Sequence, residues 1–238
     1  IHIIRIPEGK YAFVIENNVP KILVPGFYVI DSNYFTYQGT VSIDSEYINH
    51  QTVHIIRIPK SYVGLLTFNN KPFLLKEGQY IFNSPFIKYV EKRNINDDLI
   101  KHGTITRFRI KKSEIALVWY DNKPNFIEKP GVYLVDDPSF IFKECVTSNT
   151  KLITLGSRTR FILNNGEIAV TWYNNKPVFF TEPSIYEYDD SQFIFVKFED
   201  ACTKLITLGS RKRFIVNKGE LALAFIDNTP AFIEEHQV

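Results

Sequence analysis

The chain has 238 residues, of which 45% are hydrophobic and 23% are charged, with a formal net charge of +2 at pH 7. This composition, with 20 Phe and 13 Tyr, excludes general disorder and supplies enough apolar side chains for packed cores. The near-balanced charge gives no broad basic surface, so nucleic acid is not expected as a partner. No run of about 18 apolar residues occurs, so no transmembrane segment is expected, and the first residues have the pattern of a strand rather than a signal peptide.

A short motif marks a tandem repeat. Two residues of the Asn/Asp type, then any residue, then proline occur first at Asn17–Pro20 and return at intervals of 52, 52, 53 and 53 residues, at Asn69–Pro72, Asp121–Pro124, Asn174–Pro177 and Asp227–Pro230. A fixed period of about 50 residues indicates one small structural unit copied along the chain. The predicted repeats are residues 1–52, 53–104, 105–157 and 158–210, with a partial fifth repeat at 211–238. The chain is expected to be a fragment of a longer array, because it starts and stops inside repeats and lacks methionine.

The predicted elements within a repeat are short strands joined by tight turns. Each motif follows an apolar, β-branched or aromatic run, of which Ala12–Ile15 is the first, and precedes a second apolar run. Asn and Asp tolerate positive φ and suit hairpin turns, and the proline falls where the return strand begins. No window shows sustained helical spacing. The sequence therefore predicts an all-β fold, a tandem array of small antiparallel β-sheet domains of about 52–53 residues each.

The strand before the third turn is apolar on both faces. Ile115, Leu117 and Trp119 share one face, and Ala116, Val118 and Tyr120 share the other. A small sheet with one wet face would alternate apolar and polar residues. These strands are therefore expected to be covered on both sides, by their own repeat, by the next repeat or by another chain.

Aromatic residues recur later in each repeat. A tyrosine and a following phenylalanine form two rows, Tyr28, Tyr80, Tyr133 and Tyr186, and Phe35, Phe86, Phe140 and Phe193. Periodic aromatic residues usually pack, so both rows are predicted to be core residues, with the tyrosine hydroxyls anchoring corners of the chain.

The opening of the first two repeats resembles a known family. Ile3–Pro7, Tyr11–Val14 and Val24–Tyr28 are similar to the first repeat of the major vault protein, and His54–Pro59 repeats the same start. The unit also resembles, more distantly, the β portion of band-7, or stomatin-like, domains. The vault resemblance implies a non-enzymatic protein whose β repeats form the wall of a large self-assembled cytoplasmic shell.

The sequence gives little sign of catalysis or of bound cofactors and metals. His50 and His54 are four residues apart in an extended pattern, where that spacing does not indicate a metal site, and no nucleophile or phosphate-loop motif is present. The acidic pairs Asp136–Asp137 and Asp189–Asp190 recur at equivalent turns and are interpreted as solvated acids. The predictions are no enzyme, no cofactor and no metal.

Two sets of residues are candidates for an interaction surface. The first is the aromatic set Trp119, Tyr120, Trp172 and Tyr173, which could also be core. The second is a row of basic residues at equivalent edges of successive repeats, Arg158, Arg160, Arg211, Lys212 and Arg213. These basic residues could contact phosphates or an acidic partner, protect edge strands, or pair with Glu167 or Glu220.

The leading hypothesis is a non-catalytic scaffold in the cytoplasm that binds proteins or its own copies through repeat faces or edge strands. One alternative is the repeat portion of a secreted bacterial effector or adaptor that acts in a host cell. Others are a carbohydrate-binding module or enzyme with a cleft between units, and a membrane-associated scaffold like the band-7 proteins. The sequence identifies no small-molecule ligand.

Overall fold

The computed structural model describes residues 1–234 and contains, across them, strands and turns but no helix. The predicted all-β fold, with small antiparallel sheets in tandem, is confirmed. The structure has a period of six strands.

The strands have the following bounds. Those before the second Asn turn are β1 (His2–Ile6), β2 (Lys10–Glu16), β3 (Val19–Leu23), β4 (Gly26–Ile30), β5 (Phe35–Ser42), β6 (Tyr47–His50), β7 (Val53–Ile58) and β8 (Tyr62–Phe68). Those up to the fourth turn are β9 (Lys71–Leu75), β10 (Gly78–Asn83), β11 (Ile87–Asn94), β12 (Leu99–His102), β13 (Ile105–Ile110), β14 (Glu114–Tyr120), β15 (Lys123–Ile127), β16 (Gly131–Asp136), β17 (Phe140–Thr147), β18 (Leu152–Leu155), β19 (Arg158–Leu163) and β20 (Glu167–Tyr173). The last are β21 (Lys176–Phe180), β22 (Ser184–Asp189), β23 (Phe193–Asp200), β24 (Leu205–Leu208), β25 (Arg211–Phe214), β26 (Ala222–Ile226) and β27 (Thr229–Ile233).

A complete repeat contributes to two kinds of three-stranded sheet. The hairpin sheet contains the Asn/Asp turn and has the strand orders β3-β2-β5, β9-β8-β11, β15-β14-β17 and β21-β20-β23. The linking sheet contains a short strand just before the predicted start of a repeat, and has the orders β10-β7-β6, β12-β13-β16 and β18-β19-β22. The remaining sheets, β1-β4, β24-β25 and β26-β27, have two strands each.

The recurring motif forms a two-residue hairpin turn in all five repeats. Both turn residues have positive φ, for example 51° and 63° at Asn17 and Asn18 and 49° and 58° at Asn174 and Asn175. Positive φ at both positions matches the twist of the flanking strands and favours Asn and Asp. The predicted hairpins are confirmed.

The proline of the motif lies on an edge strand. Pro20 pairs with Ile15 one position beyond the residues that flank the turn, and β3 lies at the edge of its sheet. At that position the backbone nitrogen is not required for pairing, so a residue without an N–H is tolerated.

The described chain divides into two compact units. The first comprises Ile1–Arg109 and Gly131–Phe140, and the second comprises Ile110–Pro130 and residues from 141 onward. The first holds the linking sheets of the first three repeats and the hairpin sheets of the first two. The second holds the hairpin sheets of the third, fourth and fifth repeats and the linking sheets of the fourth and fifth.

In the first unit, strand β8 is buried on both faces. Val63 and Leu65 pack against Ile100 in β12, which belongs to the next linking sheet. Leu66, on the opposite face, packs against Ile56 in β7 of its own repeat. Full burial of an aliphatic side chain contributes about 1.5–3 kcal/mol, so both neighbours stabilise this strand.

The second unit repeats this arrangement at β20. Ile168 and Val170 pack against Ile206 in β24, whereas Ala169 packs against Phe161 in β19. One face of a hairpin strand is therefore covered by the linking sheet of its own repeat, and the other by the short strand that ends the repeat and pairs into the next linking sheet.

The tyrosine row forms corners as predicted. The hydroxyls of Tyr28, Tyr80 and Tyr186 donate hydrogen bonds to the carbonyl oxygens four residues earlier, at 3.0, 3.2 and 2.8 Å. Each corner carries the chain from the hairpin sheet to the linking sheet of the same repeat. The hydroxyl satisfies a carbonyl where ladder pairing stops.

The prediction that the phenylalanine row lies in the core is wrong at one position. Phe35 and Phe193 are buried, but Phe86 is 64% exposed and Ile87 takes the core position, at 7% exposed. The backbone carbonyl of Phe86 accepts a hydrogen bond from the turn residue Asn69, just as that of Tyr34 does from Asn17. Phe86 is thus the equivalent of the exposed Tyr34, and the core residue follows it.

Candidate interaction surface at the repeat junctions

The two tryptophans lie at junctions between consecutive repeats. Trp119 covers Gly156, in the turn between β18 and β19: a Cβ atom on Gly156 would lie 2.5 Å from its Cη2 atom. Trp172 covers Gly209 in the same way, with a corresponding distance of 2.6 Å. Both glycines have positive φ, of 57° and 54°, so any other residue would be disfavoured by the backbone as well as by the indole. The tryptophans therefore fit against the first turn of the next linking sheet.

The two earlier junctions use histidine. The Nε2 atom of His50 lies 2.9 Å from the carbonyl oxygen of Val14, and the imidazole is stacked on Phe13 at 4.8 Å. His102 makes the equivalent contact to the carbonyl oxygen of Leu66, at 2.8 Å. Because a carbonyl oxygen can only accept, Nε2 carries the proton and donates it. The histidines thus join the first hairpin of a linking sheet to the central strand of the preceding hairpin sheet.

The histidine and tryptophan junctions differ in residue type at the same two positions of the repeat. Leu155 and Leu208 stand where the earlier junctions have histidine, and Ile15 and Thr67 stand where the later ones have tryptophan. The spacing to His54 relates His50 only to metal binding. The sequence signal for its role at the junction is the spacing of 52 residues between His50 and His102, which is the repeat period.

The tyrosines beside the tryptophans point to the other face of their strands. Tyr120 and Tyr173 are 47% and 36% exposed. The ring of Tyr173 lies 5.9 Å from that of Tyr188 in its own repeat. Of the predicted aromatic set, the tyrosines lie at the surface and the tryptophans are partly buried within the chain.

The arginines of the predicted basic row reach back to the preceding repeat. Arg158 donates a hydrogen bond from Nη1 to Oδ1 of Asn125 at 2.7 Å, with its guanidinium 5.1 Å from the centre of the Phe126 ring. Arg211 lies over Phe179 at 5.3 Å in the equivalent geometry of the next junction. These contacts combine charge with packing on an aromatic face.

Arg160 and Arg213 are anchored to main-chain carbonyls. Arg160 is only 5% exposed and donates from Nη1 to the carbonyl oxygen of Ser148 at 3.0 Å, with Glu187 3.3 Å from its Nε atom. Arg213 donates to the carbonyl oxygen of Ala201 at 2.9 Å. The row is therefore not uniformly exposed, and both arginines also tie repeats together.

Arg107 occupies the position of Arg160 one repeat earlier, without equivalent acidic neighbours. Its Nη1 atom is buried and has no hydrogen-bond acceptor among the described residues. Burial lowers the pKa of Arg107, the nearby Arg109 lowers it further, and Asp97 opposes this shift. At the positions of Glu128 and Glu187, which lie near Arg160, the earlier repeat has Lys76 and Leu134.

Lys212 is exposed and lies with Arg211 and Arg213 beside a surface pocket of about 710 Å³. Phe179 and Thr181 also line this pocket. The expected alternative partners of the basic row, Glu167 and Glu220, instead pair with Lys151 and Lys204. Three basic side chains around one pocket can bind a carboxylate or phosphate group.

The first aspartate of each acidic pair is bonded to the first turn of the same linking sheet. Asp136 and Asp189 accept hydrogen bonds from the hydroxyls of Thr104 and Ser157. Within residues 1–234, no group of three or more His, Cys, Asp and Glu side chains is placed to hold a metal ion. The same residues include no helix long and apolar enough to cross a membrane.

Comparison with known proteins links the chain to the vacuolins of Dictyostelium discoideum. It is 28% identical to vacuolin-A over 155 residues and 26% identical to vacuolin-B over 153 residues, in each case covering 58% of this chain. The chain spans only about a quarter of either relative, 25% and 26% of their lengths. No protein-family model and no solved structure matches it. The similarity to the vacuolins supports the vault-type repeats expected from the sequence.

Proposed function

We propose that the chain is a non-catalytic scaffold segment of the cytoplasm, whose vault-like repeats bind proteins and form a self-assembling wall with other copies. The support is a repeated apolar surface. Val29, Ile81 and Leu134 occupy equivalent positions in three consecutive repeats and are 62%, 64% and 65% exposed. Exposed apolar side chains that recur along an array indicate a contact surface.

The strands that carry these residues also have free edges. Strands β4, β10 and β16 each lie at the edge of their sheet. An edge strand presents unpaired N–H and C=O groups that can pair with another chain, and apolar side chains beside it favour that contact. Tyr120 and Tyr173, exposed near the hairpin turns, are proposed as additional contacts.

Light scattering combined with size-exclusion chromatography tests this proposal. The chain is expected to associate with increasing concentration, and replacing both Ile81 and Leu134 by Lys should shift the population to monomers by placing like charges along the contact. Val24→Lys, at an apolar residue that is 56% exposed and lies outside the strands, is the matched control and should leave association unchanged. A strictly monomeric parent chain at all concentrations would count against the proposal.

The basic pocket favours a second function, capture of an acidic segment of a partner protein. Arg211, Lys212 and Arg213 all line it. A glutamate-rich peptide should bind in low salt and lose affinity as salt increases. Lys212→Glu should abolish this binding, whereas Lys218→Glu, outside the residues that line the pocket, should not.

A further inference from the structure

The second repeat contains an apolar cavity between its two sheets. Its volume is about 410 Å³, and its apolar lining comes from β8, β9, β10 and β11: Leu66, Phe68, Phe73, Leu75, Ile81, Phe82 and Ile87. Asn83 and Ser84 add polar groups to the lining. A mostly apolar cavity of this size with a few polar groups is typical of a small-molecule site.

The cavity coincides with a missing aromatic ring. Ile87 begins β11, whereas Phe35, Phe140 and Phe193 begin the equivalent strands of the other three repeats. In the fourth repeat Phe193 is stacked on Tyr188, with ring centres 4.0 Å apart and planes 4° from parallel. The equivalent of Tyr188 in the second repeat is Phe82, which has Tyr80 at 6.2 Å on one side but lacks a ring in the place that Phe193 takes beside Tyr188.

The mouth of the cavity also differs from that of the first repeat. Phe68 and Phe73 are 37% and 42% exposed at this mouth. The first repeat has Glu16 and Lys21 at these positions, joined by an ion pair of 2.6 Å. The second repeat thus combines an apolar, open mouth with the loss of an inner phenyl ring.

We propose that this cavity binds a small molecule carrying an aromatic ring. The ring lies on Phe82 as Phe193 lies on Tyr188, and Asn83 and Ser84 contact a polar substituent. Offset or parallel stacking adds to the gain from apolar burial. This binding site goes beyond the proposed scaffold role and does not depend on it.

Titration of the whole chain with N-phenyl-1-naphthylamine, a neutral two-ring probe that fluoresces in apolar surroundings, tests the proposal. Saturable binding of one probe per chain is expected. Ile87→Phe, which installs the residue of the other repeats, should weaken it about tenfold or more by filling the site. Leu223→Ser, which removes an exposed apolar side chain outside the cavity, should leave the affinity unchanged.

A second variant tests the same site in case Ile87→Phe does not fold. Phe68→Glu combined with Phe73→Lys changes only partly exposed residues and reproduces the ion pair of the first repeat, and it should weaken binding to a similar degree. The proposal is overturned by a lack of saturable binding, or by unchanged affinity in a folded variant of either kind. Light scattering on Ile87→Phe should show unchanged association, so failure of this site and failure of the scaffold proposal are distinguishable.

Discussion

The indole of Trp172 lies so close to Gly209 that a single added carbon atom on the glycine would come within 2.6 Å of the ring. The same relationship joins Trp119 to Gly156. The two residues of each pair lie 37 positions apart, the tryptophan in a hairpin sheet and the glycine in the first turn of the next linking sheet. The fit between indole and turn depends on both residues, so it can be tested by substituting either the glycine or the tryptophan.

Gly156→Ala is expected to destabilise the chain by about 1–3 kcal/mol, because the methyl group collides with Trp119 and the backbone has φ of 57°. Gly166→Ala is the control for backbone strain alone, since φ there is 80° and nothing lies within 4 Å of the added carbon. Urea unfolding followed by circular dichroism should show the larger loss for Gly156→Ala. Adding Trp119→Thr, the residue type at position 67, should recover part of it, and equal losses at both glycines would refute the collision.

Stability is expected to fall in mild acid because of His54. Its Nε2 atom donates to the carbonyl oxygen of Ser84 at 3.1 Å, so Nδ1 accepts from the Tyr47 hydroxyl at 3.0 Å in the neutral form. Burial lowers the pKa of His54, and the hydrogen bond to Ser84 acts weakly the other way. The unfolded chain therefore takes up a proton first, and stability is lost as the pH falls from about 6.5 through the lower folded pKa.

His54→Thr, the residue type at buried positions 106 and 159, should reduce this acid sensitivity. Thermal melts at about pH 7.5 and pH 5 measure the difference, with His2→Thr, at the exposed equivalent position of the first repeat, as the control. The explanation fails if His54→Thr keeps the full difference between the two pH values.

Arg107→Ile is expected to leave stability unchanged or raise it by up to about 1–4 kcal/mol, because it removes a buried charge whose Nη1 atom lacks an acceptor. Ile55 occupies the equivalent position one repeat earlier and is buried. Arg160→Ile should lower the free energy of unfolding by about 1–3 kcal/mol, because it leaves the carbonyl oxygen of Ser148 without its donor. Urea midpoints that move the same way for both variants would contradict this distinction.

The local features of the fold could be predicted from the sequence because they depend on neighbouring residues. Two consecutive Asn or Asp residues with positive φ form a hairpin wherever they occur between apolar strands, and all five turns follow this rule. The two apolar faces of the strand at Ile115–Tyr120 correctly indicated that hairpin strands are covered on both sides. Which neighbour covers each face depends on contacts between different repeats, and the sequence pattern left that open.

The side chains of the candidate site were harder to predict for the same reason. Trp119, Arg158 and Arg160 all have their partners outside their own sheet, between 12 and 37 positions away. The error at Phe86 has a different cause: an aromatic residue stands one place before the core position, and only the hydrogen bond from Asn69 establishes the register. The spacing of residues along the chain identifies them as candidates for the core or for a contact. It does not show on which face of the strand their side chains lie.

The identical segments Thr150–Ser157 and Thr203–Ser210 contain β18 and β24 and end in the turns that the two tryptophans cover. The stretch from Arg158 to Ser210 holds both Trp172 and the glycine turn that it covers. Adding or removing one such stretch would therefore leave every tryptophan with a complementary glycine turn.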